Sequence, residues 1–210
     1  MKHIFKDENF VRYLEEKYRL KFKKIEWWWK ITSAEDVINN IKEIICLSKN
    51  ITNIFWISIF KNLRKIYLFD NQIEELPKEI WQLTNLEKLG LSNNQIKEIP
   101  KEIWKLVNLK ELWLWWNQIQ KLPKEIGKLT KLEWLDLYWN EIEKLPKEIW
   151  NLKNLRWLNL ENNKLTTLPK EIGNLKKLVA LLLKWNRIWN LNENFFYDDL
   201  NKIFNRIINL

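Results

Sequence analysis

Between Leu63 and Lys177 the apolar positions return every 23 residues, in five consecutive copies that open at Leu63, Leu86, Leu109, Leu132 and Leu155. Counted from the opening leucine, apolar side chains hold positions 1, 4, 6, 11, 14, 18 and 21. Around positions 4 and 6 the pattern alternates, which predicts a short strand with these two side chains turned in and positions 3, 5 and 7 turned out. Stacked copies align such strands into a parallel sheet. Position 9 is asparagine in every copy (Asn71, Asn94, Asn117, Asn140, Asn163) and again at Asn186. Turned inward, it can pair backbone N–H and C=O groups where the chain leaves the sheet, a structural ladder. Position 15 is proline (Pro77, Pro100, Pro123, Pro146, Pro169), which accounts for all five prolines. Its fixed φ suits the first turn of a helical return leg, where a missing N–H matters little. The Lys-Glu pair after each proline, Lys78-Glu79 through Lys170-Glu171, predicts a solvated convex surface. Burying the apolar set at roughly 1.5–3 kcal/mol per side chain, before entropy, is enough to hold such a stack.

Outside the five copies the pattern loosens. Phe10, Val11, Leu14, Tyr18 and Phe22 predict an amphipathic helix from Asp7 to Phe22, laid over one open end of the stack. Ser33 and Asp36 resemble a capping box opening a helix through Val37, Ile38 and Ile41, with helix and strand readings competing at Ile44 and strand favoured. Ile41, Ile44, Cys46, Ile51 and Ile54 match positions 1, 4, 6, 11 and 14, with Lys49 at position 9 and a strand expected at Ile44–Cys46. Leu178, Leu181, Leu183, Asn186, Ile188 and Leu191 begin a sixth unit without the Pro-x-Glu-Ile phrase. Leu200, Ile203, Phe204, Ile207 and Ile208 then predict a terminal helix. The expected organisation is a helical cap over 1–40, a solenoid over 41–193 and a capping helix over 194–210. Within the solenoid, 41–62 is a degenerate repeat, 63–177 holds the full copies and 178–193 a partial one. Atypical ends are needed because the last repeats must hide an apolar cross-section.

This 23-residue unit, with its asparagine and its Leu-Pro-x-x-Ile phrase, resembles the leucine-rich repeats of bacterial LPxxI-type proteins, akin to the plant intracellular Ras-group class. The resemblance covers 63–177 strongly and 41–62 and 178–193 weakly. It implies the α/β class, as a right-handed horseshoe solenoid with a parallel concave β-sheet and helical caps at both ends. Members of that family serve mainly as protein-binding scaffolds, sometimes joined to kinase, GTPase or ligase domains. With no room for such a domain, the resemblance implies a free-standing, non-catalytic module that binds a partner protein.

The net charge of +9 is spread along the chain and is densest at Lys17, Arg19, Lys21, Lys23 and Lys24. Such a run could meet nucleic acid or an anionic surface, although a solvated helix end is the simpler reading. Cys46, the one cysteine, fits a reducing, cytoplasmic compartment. The opening MKHIFKDENF has no apolar signal core, and no run reaches membrane-spanning length, which predicts a soluble protein. His3 stands alone and Cys46 falls at core position 6, where an inert thiol is expected. Without a Cys/His cluster or a phosphate-binding glycine loop, no catalytic residue, metal or cofactor is predicted. A monomer with a protein partner is the expectation, and nucleic acid is the alternative.

Fifteen tryptophans stand beside three glycines, where glycine ordinarily supplies about 7% of residues. Position 19 reads Trp81, Trp104, Gly127, Trp150, Gly173, and position 8 reads Asp70, Asn93, Trp116, Trp139, Asn162 and then Trp185. Asp, Asn and Gly share a tolerance of left-handed backbone that tryptophan lacks. Some bacterial lineages read the UGA codon as glycine, and a common alternative table reads it as tryptophan. The two columns therefore predict that many of these tryptophans stand where the source organism places glycine. Trp27-Trp28-Trp29 and Trp115-Trp116 would then be glycine-rich turns, while Trp134 and Trp157 are reasonable strand residues as they stand.

The outward positions define the candidate site. A diagonal aromatic band is expected from Tyr67 and Phe69 through Trp113 and Trp115 to Trp134, Tyr138 and Trp157, flanked by Asp136, Asn159 and Glu161. Exposed aromatics rimmed by polar groups are typical anchors of protein interfaces. With recoding, Tyr67, Phe69 and Tyr138 survive and the band thins.

Overall fold

The computed structural model describes residues 4–5, 8–25, 28–31, 35–168 and 170–188. The chain opens with β1 (Ile4–Phe5), α1 (Glu8–Tyr18), β2 (Phe22–Ile25), β3 (Trp28–Ile31) and α2 (Glu35–Asn39). The first three strands form an antiparallel sheet of order β1-β3-β2. Each repeat unit then supplies one three-residue strand: β4 (Glu43–Ile45), β5 (Lys65–Tyr67), β6 (Lys88–Gly90), β7 (Glu111–Trp113), β8 (Trp134–Asp136), β9 (Trp157–Asn159) and β10 (Ala180–Leu182). These seven lie in chain order in one open parallel sheet. Ile44, Ile66, Leu89, Leu112, Leu135, Leu158 and Leu181 stand in a single row across it. Register is forced, because a slip of one residue would turn every position-4 side chain to the other face.

The core is the periodic apolar set. Every side chain at positions 1, 4, 6, 11, 18 and 21 of the five full copies is at most 4% exposed. Ile41, Ile44, Cys46, Ile51 and Ile54 of the degenerate unit are buried in the same cluster.

The return legs are the 3-10 segments Phe55–Ile59, Lys78–Gln82, Lys101–Lys105, Lys124–Lys128, Lys147–Asn151 and Lys170–Asn174. An α-helix about 10–12 Å across would splay the return side of strands spaced about 4.8 Å apart. Thin legs keep the sheet open. Proline stands one residue earlier than the helical turn expected of it: Pro77, Pro100, Pro123 and Pro146 occupy the N-cap, with ψ between 139° and 149°. From there the Pro77 carbonyl accepts the Ile80 N–H at 3.1 Å, and the other three repeat the bond. Of the Lys-Glu pairs, Lys78, Lys101, Lys124 and Lys147 are exposed but Glu79, Glu102, Glu125 and Glu148 are half-buried.

The N-terminal region departs from an all-helical cap. The helix expected to run to Phe22 stops at Tyr18, because Arg19 takes a φ of 53° and turns the chain out of the helix. Phe22 instead begins β2, and Trp28 and Trp29, expected in a turn under recoding, lie on β3. The second helix ends at Asn39, so Ile41 leaves it and Ile44 is free to join β4. Val11 and Leu14 of α1 bury against the solenoid. The Tyr13 hydroxyl donates to the Ile45 carbonyl and accepts the Ile45 N–H at 3.2 Å, while Tyr18 donates to the Glu43 carbonyl at 2.6 Å. Two phenols thus occupy hydrogen-bonding groups on the outer edge of β4, an edge otherwise open to another strand. Ser33, Leu191 and the predicted terminal helix lie outside the described residues.

Candidate functional site

Positions 3, 5 and 7 of successive repeats line the face of the parallel sheet that the return legs leave uncovered. Tyr67, Trp113, Trp134, Asp136 and Trp157 stand on the strands, and Phe69, Trp115, Tyr138 and Glu161 just beyond their ends. All nine are half-buried, and Asn159 is buried. The aromatic rings pack on one another more than they project.

Two aromatic groups result, in place of one diagonal band. In the first, Tyr67 meets Phe69 at 5.8 Å and Trp113 at 5.9 Å, and Phe69 stacks on Trp115 at 6.3 Å. Tyr67 and Trp113 belong to strands two repeats apart, and Gly90 lies between them in the same row. A Cβ at Gly90 would collide with the Phe69 ring and come within 3.1 Å of Tyr67. The missing side chain is therefore what lets the rings close over β6. Ser92, in the next outward row, is fully buried, and its hydroxyl has no hydrogen-bond partner among the described residues. The group continues through Trp116, 6.0 Å from Trp115, to Trp139 at 5.9 Å and Tyr138 at 5.8 Å. Trp116 and Trp139 occupy position 8, outside the set expected from strand alternation. The second group is Trp134 and Trp157, stacked at 4.5 Å with an interplanar angle of 1°. An open recess of about 420 Å³ is lined by Trp113, Trp134 and Trp157 with Glu111, Glu133 and Arg156.

Charged neighbours pair across repeats. Lys65 lies 3.6 Å from Glu43, Lys88 lies 2.7 Å from Glu111, and Glu87 takes both Lys110 at 2.8 Å and Arg64 at 3.5 Å. The bond to Glu111 raises the Lys88 ammonium above its ordinary range, and the bond from Lys110 lowers the Glu87 carboxyl. Burial raises the Tyr67 phenol. Burial also pushes Asp136 up to about 6; the Tyr138 N–H, 3.1 Å from its carboxylate, opposes the shift and Glu161 adds to it. At Asn159 the amide oxygen accepts the Glu161 N–H in the same geometry, also at 3.1 Å.

Beneath this face runs the asparagine ladder. Asn117 is typical: its amide donates to the Leu91 and Leu114 carbonyls at 3.0 Å, and its oxygen accepts the Ile96 N–H at 3.0 Å. Asn94, Asn140, Asn163 and Asn186 repeat the pattern, and Asn71 ties the degenerate unit through Cys46, Lys49 and Ile51. These side chains satisfy the backbone and offer nothing to a ligand.

The remaining residues of chemical interest do not assemble into a site. Cys46 is fully buried, and His3 lies outside the described residues. In the basic run, Lys17 lies over the Tyr13 and Tyr18 rings at 5.5 and 5.8 Å, while Arg19, Lys21 and Lys23 are exposed. Among the described residues no His, Cys, Asp and Glu side chains cluster to hold a metal, and no helix is long and apolar enough to cross a membrane.

The comparisons agree with this geometry. Residues 101–178 match a family model described as a leucine-rich repeat region, and residues 61–119 match a second described as leucine rich repeat. No curated protein sequence matches the chain. Among solved structures, a leucine-rich repeat protein of Leptospira interrogans is 36% identical over 81% of this chain and 50% of its own, with a TM-score of 0.61. Internalin C2 of Listeria monocytogenes is 26% identical over 87% of this chain and 76% of its own, with a TM-score of 0.72. The leucine-rich repeat ectodomain of a plant membrane receptor kinase from Arabidopsis thaliana, solved in complex with Casparian strip integrity factor 2, is 33% identical. It covers 64% of this chain and 20% of its own, with a TM-score of 0.57. The chain thus spans about half the length of the Leptospira protein and a fifth of the plant ectodomain.

Proposed function

As the chain is a leucine-rich repeat protein, we propose that it is a non-catalytic scaffold that captures a partner protein on the uncovered face of its parallel sheet. One observation carries the reading: Tyr67, Phe69, Trp113 and Trp115 form a connected aromatic surface across three repeats, rimmed by the Lys88–Glu111 pair. Rigid aromatic side chains bury much area on binding while losing little rotamer freedom, which is why they dominate interface energetics. The Arabidopsis ectodomain, solved in complex with another factor, lends support by analogy. The Leu-Pro-x-x-Ile phrase supports reading the repeats as the bacterial LPxxI type, and the single buried Cys46 suits a cytoplasmic location. Tyr67→Ala with Phe69→Ala is expected to weaken capture of the partner by at least tenfold while the circular dichroism spectrum stays unchanged. Undiminished capture by the folded double variant would refute this assignment of the face. Binding that survives the double variant but falls steeply with salt would point instead to the basic N-terminal run and an anionic partner.

A further inference from the structure

Position 8 of the repeat carries an inference about which residues the source cell places in this protein. The column reads Ser48, Asp70, Asn93, Trp116, Trp139, Asn162 and Trp185 through seven successive units, and all seven have a φ between 52° and 58°. The conformation is imposed by the stack. The position-8 N–H donates to the position-7 carbonyl of the next repeat, as from Trp116 to Tyr138 at 2.9 Å and from Trp139 to Glu161 at 3.0 Å. Its own carbonyl accepts the position-9 N–H of the preceding repeat, as from Asn94 to Trp116 at 3.2 Å and from Asn117 to Trp139 at 3.3 Å. Held on both sides, Trp116 and Trp139 cannot leave the left-handed region without breaking bonds in two neighbouring repeats, and Trp185 in the last described unit shares their conformation with a φ of 56°. Ser, Asp and Asn are short and polar, and Asp70 even accepts a side-chain bond from Asn93 at 2.6 Å. Tryptophan is bulky, and its Cβ meets the following carbonyl in this conformation. Burial does not offset the strain: Trp116, Trp139 and Trp185 are 46%, 53% and 67% exposed.

We propose that residues 116, 139 and 185 are glycines in the protein its own cell makes, encoded by UGA codons read as glycine. Glycine meets this φ without a Cβ penalty, which places it with serine, aspartate and asparagine as the fourth natural occupant of the column. The tryptophans at position 19 stand on other ground, since no residue of that column has a positive φ; Trp81 and Trp150 bury their rings at 2% and 1% exposure and Trp104 is 39% exposed. For the binding face the consequence is specific. The ledge formed by Trp116 and Trp139 beside Tyr138 disappears, whereas Tyr67 and Phe69 are untouched.

The test is residue-by-residue sequencing, by fragmentation mass spectrometry, of tryptic peptides from the protein purified from its source cells. Fragment 111–121 reports residue 116, fragment 132–144 reports residue 139, and 185–187 reports residue 185. Glycine masses at all three sites uphold the proposal; tryptophan at any of them, or a UGG codon there, overturns it. A second arm uses the recombinant chain bearing tryptophan. Trp116→Gly, Trp139→Gly and Trp185→Gly are each expected to raise Tm by about 2–4 °C, although glycine elsewhere in a chain ordinarily lowers it. An unchanged or lowered Tm would remove the physical basis of the inference. Neither arm involves partner capture, so the outcome is separable from the role proposed for the face.

Discussion

Asp136 is the residue at which the face is most sensitive to solution conditions. Its ordinary pKa of 3.8 is pushed up to about 6 by burial, so the folded protein favours the neutral carboxyl. Between those two values the native state holds a proton that the unfolded chain has released, and stability falls as pH rises through that window. Asn159, one repeat on, makes the same bond to the backbone with an uncharged amide. Asp136→Asn is therefore expected to raise the denaturation midpoint at about pH 7.5 and to leave it nearly unchanged at about pH 4. Equal shifts at both values would show that charge burial is not the cause.

At the scale of elements, the decisive contact is between α1 and β4. A seven-stranded sheet has two edges, and the β4 edge is met by the hydroxyls of Tyr13 and Tyr18. Burial raises both phenols above their ordinary range, which keeps them protonated and able to donate. Tyr13→Phe preserves the ring but leaves the Ile45 N–H and carbonyl without that partner. The expected loss is about 1–3 kcal/mol in urea unfolding, accompanied by a rise in self-association by light scattering as the edge becomes available. Full stability in the Phe variant would mean that the Tyr13 hydroxyl adds nothing to the hold that packing and the Tyr18 bond already give.

The solenoid behaves as a one-dimensional stack, since each strand of its parallel sheet pairs only with its neighbours in the chain. Leu112 sits in the middle of the position-4 row and is 1% exposed. Leu112→Ala is expected to destabilise by about 2–5 kcal/mol, because its neighbours can only partly close the cavity. Hydrogen exchange should show the greatest loss of protection in β6, β7 and β8, with β4 and β10 less affected. A uniform loss across the sheet would indicate a single cooperative unit.

Much of this could be read from the residues in order, and the reason is periodicity. A repeat of 23 residues places the same side chain in the same setting again and again, so each copy confirms which positions face inward. Strand register, the parallel sheet, the buried apolar set and the inward amide at position 9 follow from that local pattern. The antiparallel strands before residue 35 were not legible, because no repeat supports them and the stop of α1 lies in the backbone of Arg19. Nor was the breaking of the aromatic band into two groups. Whether Tyr67 reaches Trp113 depends on the empty space above Gly90, a contact spanning two repeats that no single copy contains. The sequence alone determined the column in which tryptophan looks foreign. Only the tertiary structure decided why: hydrogen bonds from the repeats on either side hold that residue left-handed, and a backbone constraint of that kind exists only once the repeats are stacked.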